Sequence, residues 1–269
     1  MSADGSDRAL APSQPLVFWV LGGILLVYFA VPFAVFLART GSVPVVETLL
    51  EPGTRTAVRN SLLTAPVATA IATGFGVPLA YLLARERFRG KRLVEAFVVL
   101  PLVVPPVVGG ALLLSVVGRF TPVGALAARA GVPLTDSLVG VVLAQTFVAA
   151  PFVVVTARAG FEAVDERLEQ AARTLGHGRT ATFRRVSLPL ARRSIAAGVV
   201  LTFARAVGEF GATLMVAYNP RTMPTRIWVE FIAGGIDDIV PVALVLLFVT
   251  LVVVAAVQRF AGVPTRGAR

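Results

Sequence analysis

The sequence predicts an all-α integral membrane protein with six transmembrane helices, and three observations carry that reading. Of the 269 residues, 56% are hydrophobic and only 15% charged, with a mean hydropathy of +0.81. A soluble domain carries about a quarter of its residues charged, so lipid must replace water around much of this chain. The apolar residues fall in runs long enough to cross a bilayer, and the basic residues cluster between those runs.

A helix rising about 1.5 Å per residue needs about 20 residues to cross a hydrocarbon core of about 30 Å. Leu16–Ala38, Asn60–Ala84, Ala96–Gly118 and Ser137–Ala157 meet this without a charge. Ser194–Pro220 is long enough but holds Arg205 and Glu209, and the uncharged run Ile239–Gln258 ends at Arg259. Backbone polar groups in lipid must bond within their own segment, so each run is expected to be a helix. The first run follows Asp4, Asp7 and a lone Arg8 and is too long for a signal core, so it reads as a span, not a cleaved leader. The third contains Pro101, Pro105 and Pro106, then Gly109 and Gly110. Each proline removes a helical donor and restricts the residue before it, which leaves either a broken helix covered by protein or a packing kink.

Basic residues set the orientation, because loops rich in Arg and Lys stay cytoplasmic. Of the 25 basic residues, seventeen lie in the two tails and in the second-to-third and fourth-to-fifth connections; seven lie in the alternate connections and one, Arg205, within a span. Both termini are therefore expected in the cytoplasm. The chain divides into a cytoplasmic tail (1–15), the first span with an external linker (16–55), a five-span core (56–258) and a second cytoplasmic tail (259–269).

The net charge of +10 does not point to nucleic acid, since the arginines sit in short clusters between apolar runs. No cysteine is present, which excludes disulfides, thiolate metal sites and cysteine nucleophiles. His177 is the sole histidine and lies in a loop without partners for metal or acid–base chemistry. No catalytic constellation, metal set or cofactor site is expected. The single lysine, Lys91, precedes Arg92 instead of Ser or Thr, so the chain has no phosphate-binding loop.

The loop 158–193 carries the most information. Val164, Leu168, Ala171, Ala172 and Leu175 make an apolar stripe on a short helix, with Glu166, Arg167, Glu169, Gln170 and Arg173 on the other side. Asp165 suits the N-cap and Gly176 the left-handed position past the last turn. A second short helix follows, stopped by Pro189. The stripe suits either a membrane surface or a docking partner, and its small centre at Ala171 and Ala172 favours close approach of protein.

Gln170-Ala171-Ala172, Gly176 and Val186-Ser187-Leu188-Pro189 resemble the cytoplasmic EAA signature of type I ABC importer permeases, with the same spacing. Gln170 stands where that family has Glu and Val186 where it has Ile; Glu169 could supply the charge but points about 100° away on a helix. The resemblance covers roughly residues 57–257. It implies that Glu169, Gln170, Ala171, Ala172, Gly176, Leu188 and Pro189 couple to an ATPase subunit present in two copies. It further implies a permease homodimer in the cytoplasmic membrane of a prokaryote and an extracellular or periplasmic solute-binding protein.

The stretches Gly208-Glu209-Phe210-Gly211-Ala212-Thr213, Ala217-Tyr218-Asn219-Pro220 and Leu100-Pro101-Leu102-Val103-Val104-Pro105-Pro106 resemble the oxyanion permeases of that family, molybdate and tungstate first and sulfate next. Arg205, Glu209 and Thr213 are the pathway or gate residues on this reading. Their i, i+4 spacing also lets Arg205 and Glu209 neutralise each other as plain packing. Asn60, Ser61, Thr64, Ser115, Gln145 and Thr146 suit either a pathway or helix–helix bonding. A secondary anion transporter would accommodate broken helices but would leave the spaced loop motif unexplained. An ABC permease for a different small solute is the other alternative.

Overall fold

The computed structural model describes residues 16–260, and every regular element among them is helical. The tails expected over 1–15 and 261–269 lie outside the described residues. In chain order the helices are α1 (Leu16–Ala38), α2 (Val45–Leu50), α3 (Pro52–Arg85), α4 (Lys91–Val103), α5 (Pro106–Val117), α6 (Pro122–Arg129), α7 (Leu138–Glu162), α8 (Glu166–Thr174), α9 (Arg179–Thr182), α10 (Leu188–Val207), α11 (Gly211–Val216), α12 (Met223–Gly234) and α13 (Ile236–Phe260). Five helices are long and apolar enough to cross a membrane, and six spans result if α4 and α5 count as one.

The core is built from α3, α7 and α10. Their contact surfaces are small: Ala65, Ala68 and Ala80 on α3, Ala144, Ala149 and Ala157 on α7, and Ala206 on α10 are fully buried. Lipid tails are as apolar as leucine, so helix association in a bilayer relies on close backbone approach and dispersion, which small residues permit. Leucine, phenylalanine and valine instead populate the outer surface, as at Leu62, Phe75, Phe97 and Leu112. α1 is the extreme case, since none of its residues is buried against the rest of the chain.

Several expected boundaries move. α3 starts at Pro52, so the division between 55 and 56 falls inside its first turns, and α13 runs through the division between 258 and 259. The third span is not one rod over Ala96–Gly118: α4 and α5 meet at 120°. Pro105 holds Val104 extended (ψ 131°), and Pro106 starts α5, where a missing N–H costs nothing. The fifth span is not Ser194–Pro220 either; it ends at Val207, and α11 follows a break at 208–210. Pro189 does not stop a helix. A π-helical turn over Phe183–Ser187 widens the backbone just before it, so α9 and α10 run on as one 29-residue helix, Arg179–Val207.

The two breaks pack on each other. A Cβ on Gly110 of α5 would stand 2.8 Å from the Ala212 Cα and 2.8 Å from the Met215 Cβ of α11, and one on Gly211 would stand 3.0 Å from the Val107 nitrogen. Only glycine lets these two backbones meet.

Ion pairs gather the two sets of connections at opposite ends of the bundle. Arg85–Glu169 (2.9 Å), Arg158–Glu95 (3.0 Å) and Arg179–Glu86 (3.7 Å) join the connection at 86–90 to the loop 158–193. Arg39–Asp237 (2.7 Å), Arg226–Glu51 (3.4 Å) and the Asn60 amide donating to the Arg221 carbonyl (2.9 Å) join the linker after α1 and the first turns of α3 to the segment before α13 and its first turn. At this second end burial holds the Glu230 carboxyl above the usual carboxylate range, against the pull of Arg226. The cysteine-free chain makes sidedness directly measurable. Single cysteines replacing Phe88 and Leu175 should react with an impermeant maleimide only from the cytoplasmic side, and one replacing Phe120 only from outside. External labelling at position 175 would reverse the orientation.

Candidate functional site

Two places in the bundle concentrate polar side chains, one at the loop end and one at the paired breaks. At the loop end, α8 is bounded as its sequence demands. The Asp165 carboxylate accepts from the Arg167 N–H (2.9 Å) at the N-terminus. At the C-terminus Gly176 takes φ +86°, and the N–H groups of Gly176 and His177 donate to the carbonyls of Arg173 and Ala172, both at 3.0 Å. This is a Schellman closure, which needs the left-handed residue that glycine supplies without strain.

The roll of α8 differs from the expected stripe. Val164 and Ala172 face inward, whereas Leu168, Ala171 and Leu175 are exposed, Leu175 at 81%. Glu169, expected on the outer side, is buried at 2%. Its Oε1 accepts from the Arg85 Nε (2.9 Å) and the Ser187 hydroxyl (2.8 Å), and its Oε2 from the Tyr81 hydroxyl (3.3 Å). A buried carboxylate needs a cation and hydrogen bonds, and only the inward roll provides them. Periodicity put Ala171 and Ala172 together at the centre of one docking stripe; the buried charge turns Ala172 inward and leaves Ala171 outward. Gln170 is exposed, Leu188 half-buried, and Pro189 exposed in the first turn of α10.

At the breaks, α10 ends at Val207 and Glu209 sits in the gap, fully buried. Its Oε1 accepts from the Ala212 N–H (2.7 Å), so it serves the otherwise unpaired start of α11. Its Oε2 lies 2.5 Å from the Arg205 guanidinium, which is 27% exposed. Thr213, one turn further, is fully buried and its hydroxyl has no hydrogen-bond partner among the described residues.

This arrangement, a solvent-facing apolar strip on a loop helix and a charged pair at a covered helix break, suits a membrane conduit. A family model described as "Binding-protein-dependent transport system inner membrane component" matches residues 76–267. The chain belongs to this family of transport permeases. A "Probable molybdenum ABC transporter permease protein" of Haloferax volcanii is 50% identical, over 90% of this chain and 88% of the relative. A "Molybdate/tungstate transport system permease protein WtpB" of Thermococcus kodakarensis is 44% identical over 87% and 91%. Among solved structures, a chain of a bacterial alginate ABC transporter in complex with an alginate-bound periplasmic protein superposes with a TM-score of 0.69, at 16% identity over 93% and 94% of the two chains; this likeness concerns the fold.

Within the permease, the polar span residues separate by their bonds. Asn60 holds the Arg221 carbonyl, the Ser61 hydroxyl accepts from the Met223 N–H (2.8 Å), and the hydroxyls of Thr64 and Ser115 donate to carbonyls of their own helices. These four are structural bonds. Gln145, Thr146 and Thr213 have buried polar atoms without a hydrogen-bond partner among the described residues, so no bond assigns them a structural role. Sequence reasoning missed Arg85, Tyr81 and Ser187. Arg85 counted only as one of many loop arginines, and Ser187 lay inside the spaced motif as filler.

Arg205→Ala leaves the Glu209 carboxylate buried beside a single backbone N–H. Breaking one side of a buried pair costs roughly 3–5 kcal/mol. Membrane abundance and the thermal midpoint of the purified permease should both fall, and Arg205→Ala/Glu209→Gln should recover most of the loss. Equal midpoints for the wild type and Arg205→Ala would show that the pair contributes nothing to stability.

Proposed function

We propose that this permease imports a small tetrahedral oxyanion, molybdate or tungstate first and sulfate next, across the cytoplasmic membrane of a prokaryote. It does so as a homodimer driven by two copies of a separate ATPase and supplied by an extracellular or periplasmic solute-binding protein. The observation that carries the substrate is the identity of 50% and 44%, over nearly the whole chain, to relatives named for molybdenum and for molybdate/tungstate. The chain holds no phosphate-binding loop, so hydrolysis belongs to another subunit.

The docking surface is the outward strip Leu168–Ala171–Leu175, flanked by Gln170 and closed by Gly176. Two large apolar side chains around one alanine, held rigid by caps at both ends, suit a groove on a folded partner. One chain supplies one such helix, so an ATPase dimer calls for two permeases. The unburied α1 supports the same assembly, since its apolar length is free for a second copy as well as for lipid. Arg205, Glu209 and Thr213 form the gate. A bare guanidinium would hold an oxyanion too tightly and a bare carboxylate would repel it; a paired charge beside a free hydroxyl avoids both.

Ala171→Arg should abolish co-purification with the ATPase while leaving insertion and the thermal midpoint unchanged, because position 171 touches no other part of the chain's core. A full yield of complex from Ala171→Arg would remove the strip as the docking surface. Proteoliposomes holding the permease, the ATPase and the binding protein should accumulate radiolabelled molybdate only with ATP inside, and unlabelled tungstate should compete at lower concentration than sulfate. Accumulation without ATP, or competition by sulfate ahead of tungstate, would contradict the proposal.

A further inference from the structure

We infer that Glu169 is a positioning residue of the transport cycle, a buried strut that ties the docking helix α8 to α3 and α10 so that the three move as one body. The inference rests on α8 being the docking helix, and it concerns the opposite face of that helix. Glu169 and Glu166 both belong to the first turn of α8, yet the side chain of Glu166 is 66% exposed and that of Glu169 only 3%.

One carboxylate serves three elements. Arg85 and Tyr81 come from the last turns of α3, and Ser187 comes from the π turn that leads into α10. A second nitrogen of Arg85 donates to the Val164 carbonyl (2.8 Å), just past the end of α7. Arg85 is itself 8% exposed, so both partners are largely withdrawn from water; at the rim Arg173 comes within 3.7 Å of Glu169 and Glu166 within 3.8 Å of Arg85. Beneath it the rings of Tyr81, Phe161 and Phe183 pack at 4.8–6.0 Å between centroids, one each from α3, α7 and the π turn.

The physical consequence follows from burial. An exposed ion pair can open and be replaced by water at little cost, so it transmits little force. A buried carboxylate that loses its guanidinium has no water to replace it, and Arg173, half exposed and 3.7 Å away, makes only a longer contact, so the short bonds break together or hold together. The remaining inward contact of α8, through Ala172, is small and apolar and would let the helix slide. Glu169 makes α8 a rigid joint. Displacement of the outer strip by the ATPase then reaches α3 and α10 without loss.

The test uses the full assembly of permease, ATPase and binding protein in proteoliposomes. Glu169→Gln keeps the shape and removes the charge, and the outer strip is untouched, so ATPase binding should persist. Molybdate delivered per ATP hydrolysed should fall roughly 2- to 30-fold, the range expected when a coupling contact is weakened. Ser187→Ala and Tyr81→Phe, each losing one bond of the strut, should lower the same ratio by less. A purely structural role would lower the amount of protein but leave the ratio alone. If Glu169→Gln fails to insert, Ser187→Ala and Tyr81→Phe decide by the ratio. A wild-type ratio in the variants that assemble overturns the strut while leaving docking in place; a wild-type permease that does not bind the ATPase overturns both.

Discussion

Everything in this bundle is subject to one constraint: no backbone amide may be left unbonded in lipid. A helix satisfies it unaided, which is why four of the spans are plain rods. A helix break satisfies it only under cover, and here each break supplies the cover for the other. The first half of α5 is pressed against α11 through Gly110 and Gly211, and the Ala212 N–H at the start of α11 is met by Glu209. Removing either break would expose the other. The prolines of the third span and the Gly-Glu-Phe-Gly of the fifth are therefore two halves of one structural feature, although more than 100 residues separate them in the chain.

The same constraint explains where charge is tolerated. Arg205 and Glu209 are costly in a bilayer, since a charge at mid-membrane costs about 2.5–3.5 kcal/mol on insertion scales. The cost is reduced because Glu209 answers a need the break itself creates, an N-terminal amide with no carbonyl to receive it. Position along the chain suggested a continuous helix with the pair on one face. The structure instead leaves Arg205 on the last turn of α10 and drops Glu209 into the gap. Charge neutralisation survives that change; the shared helix face does not.

The parts legible in the sequence were those set by local chemistry. Span number, the caps of α8 at Asp165 and Gly176, and the spaced loop motif all follow from residues within a few positions of one another. Span ends were less legible, because hydropathy counts residues that lipid could cover and cannot see that Arg55 and Arg59 continue α3 at its exposed start. The roll of α8 was illegible for a different reason. Val164, Leu168, Ala171, Ala172 and Leu175 all lie within a broad apolar arc, and what selects the buried part is Arg85, 84 residues away on another helix. The π turn was hidden likewise: Pro189 signals a stop, and only the widened backbone of Phe183–Ser187 lets the helix pass it.

These features meet on α10. Its first turn follows directly from Ser187, which binds the Glu169 carboxylate, and two residues past its last turn stands Glu209, bound to Arg205 and to α11. The twenty residues of α10 span about 30 Å at the usual helical rise. A helix of that length, packed along α7 through small side chains, is stiff along its axis. Tied to a buried carboxylate near each end, it is the shortest mechanical connection between the exposed strip of α8 and the paired breaks. A shift of the loop end along α10 would be taken up at Gly208–Phe210, where the backbone is not helical and where Glu209 binds both Arg205 of α10 and the Ala212 N–H of α11. On the coupling proposed above, the break lies where axial motion of α10 would become rearrangement of the buried charge pair.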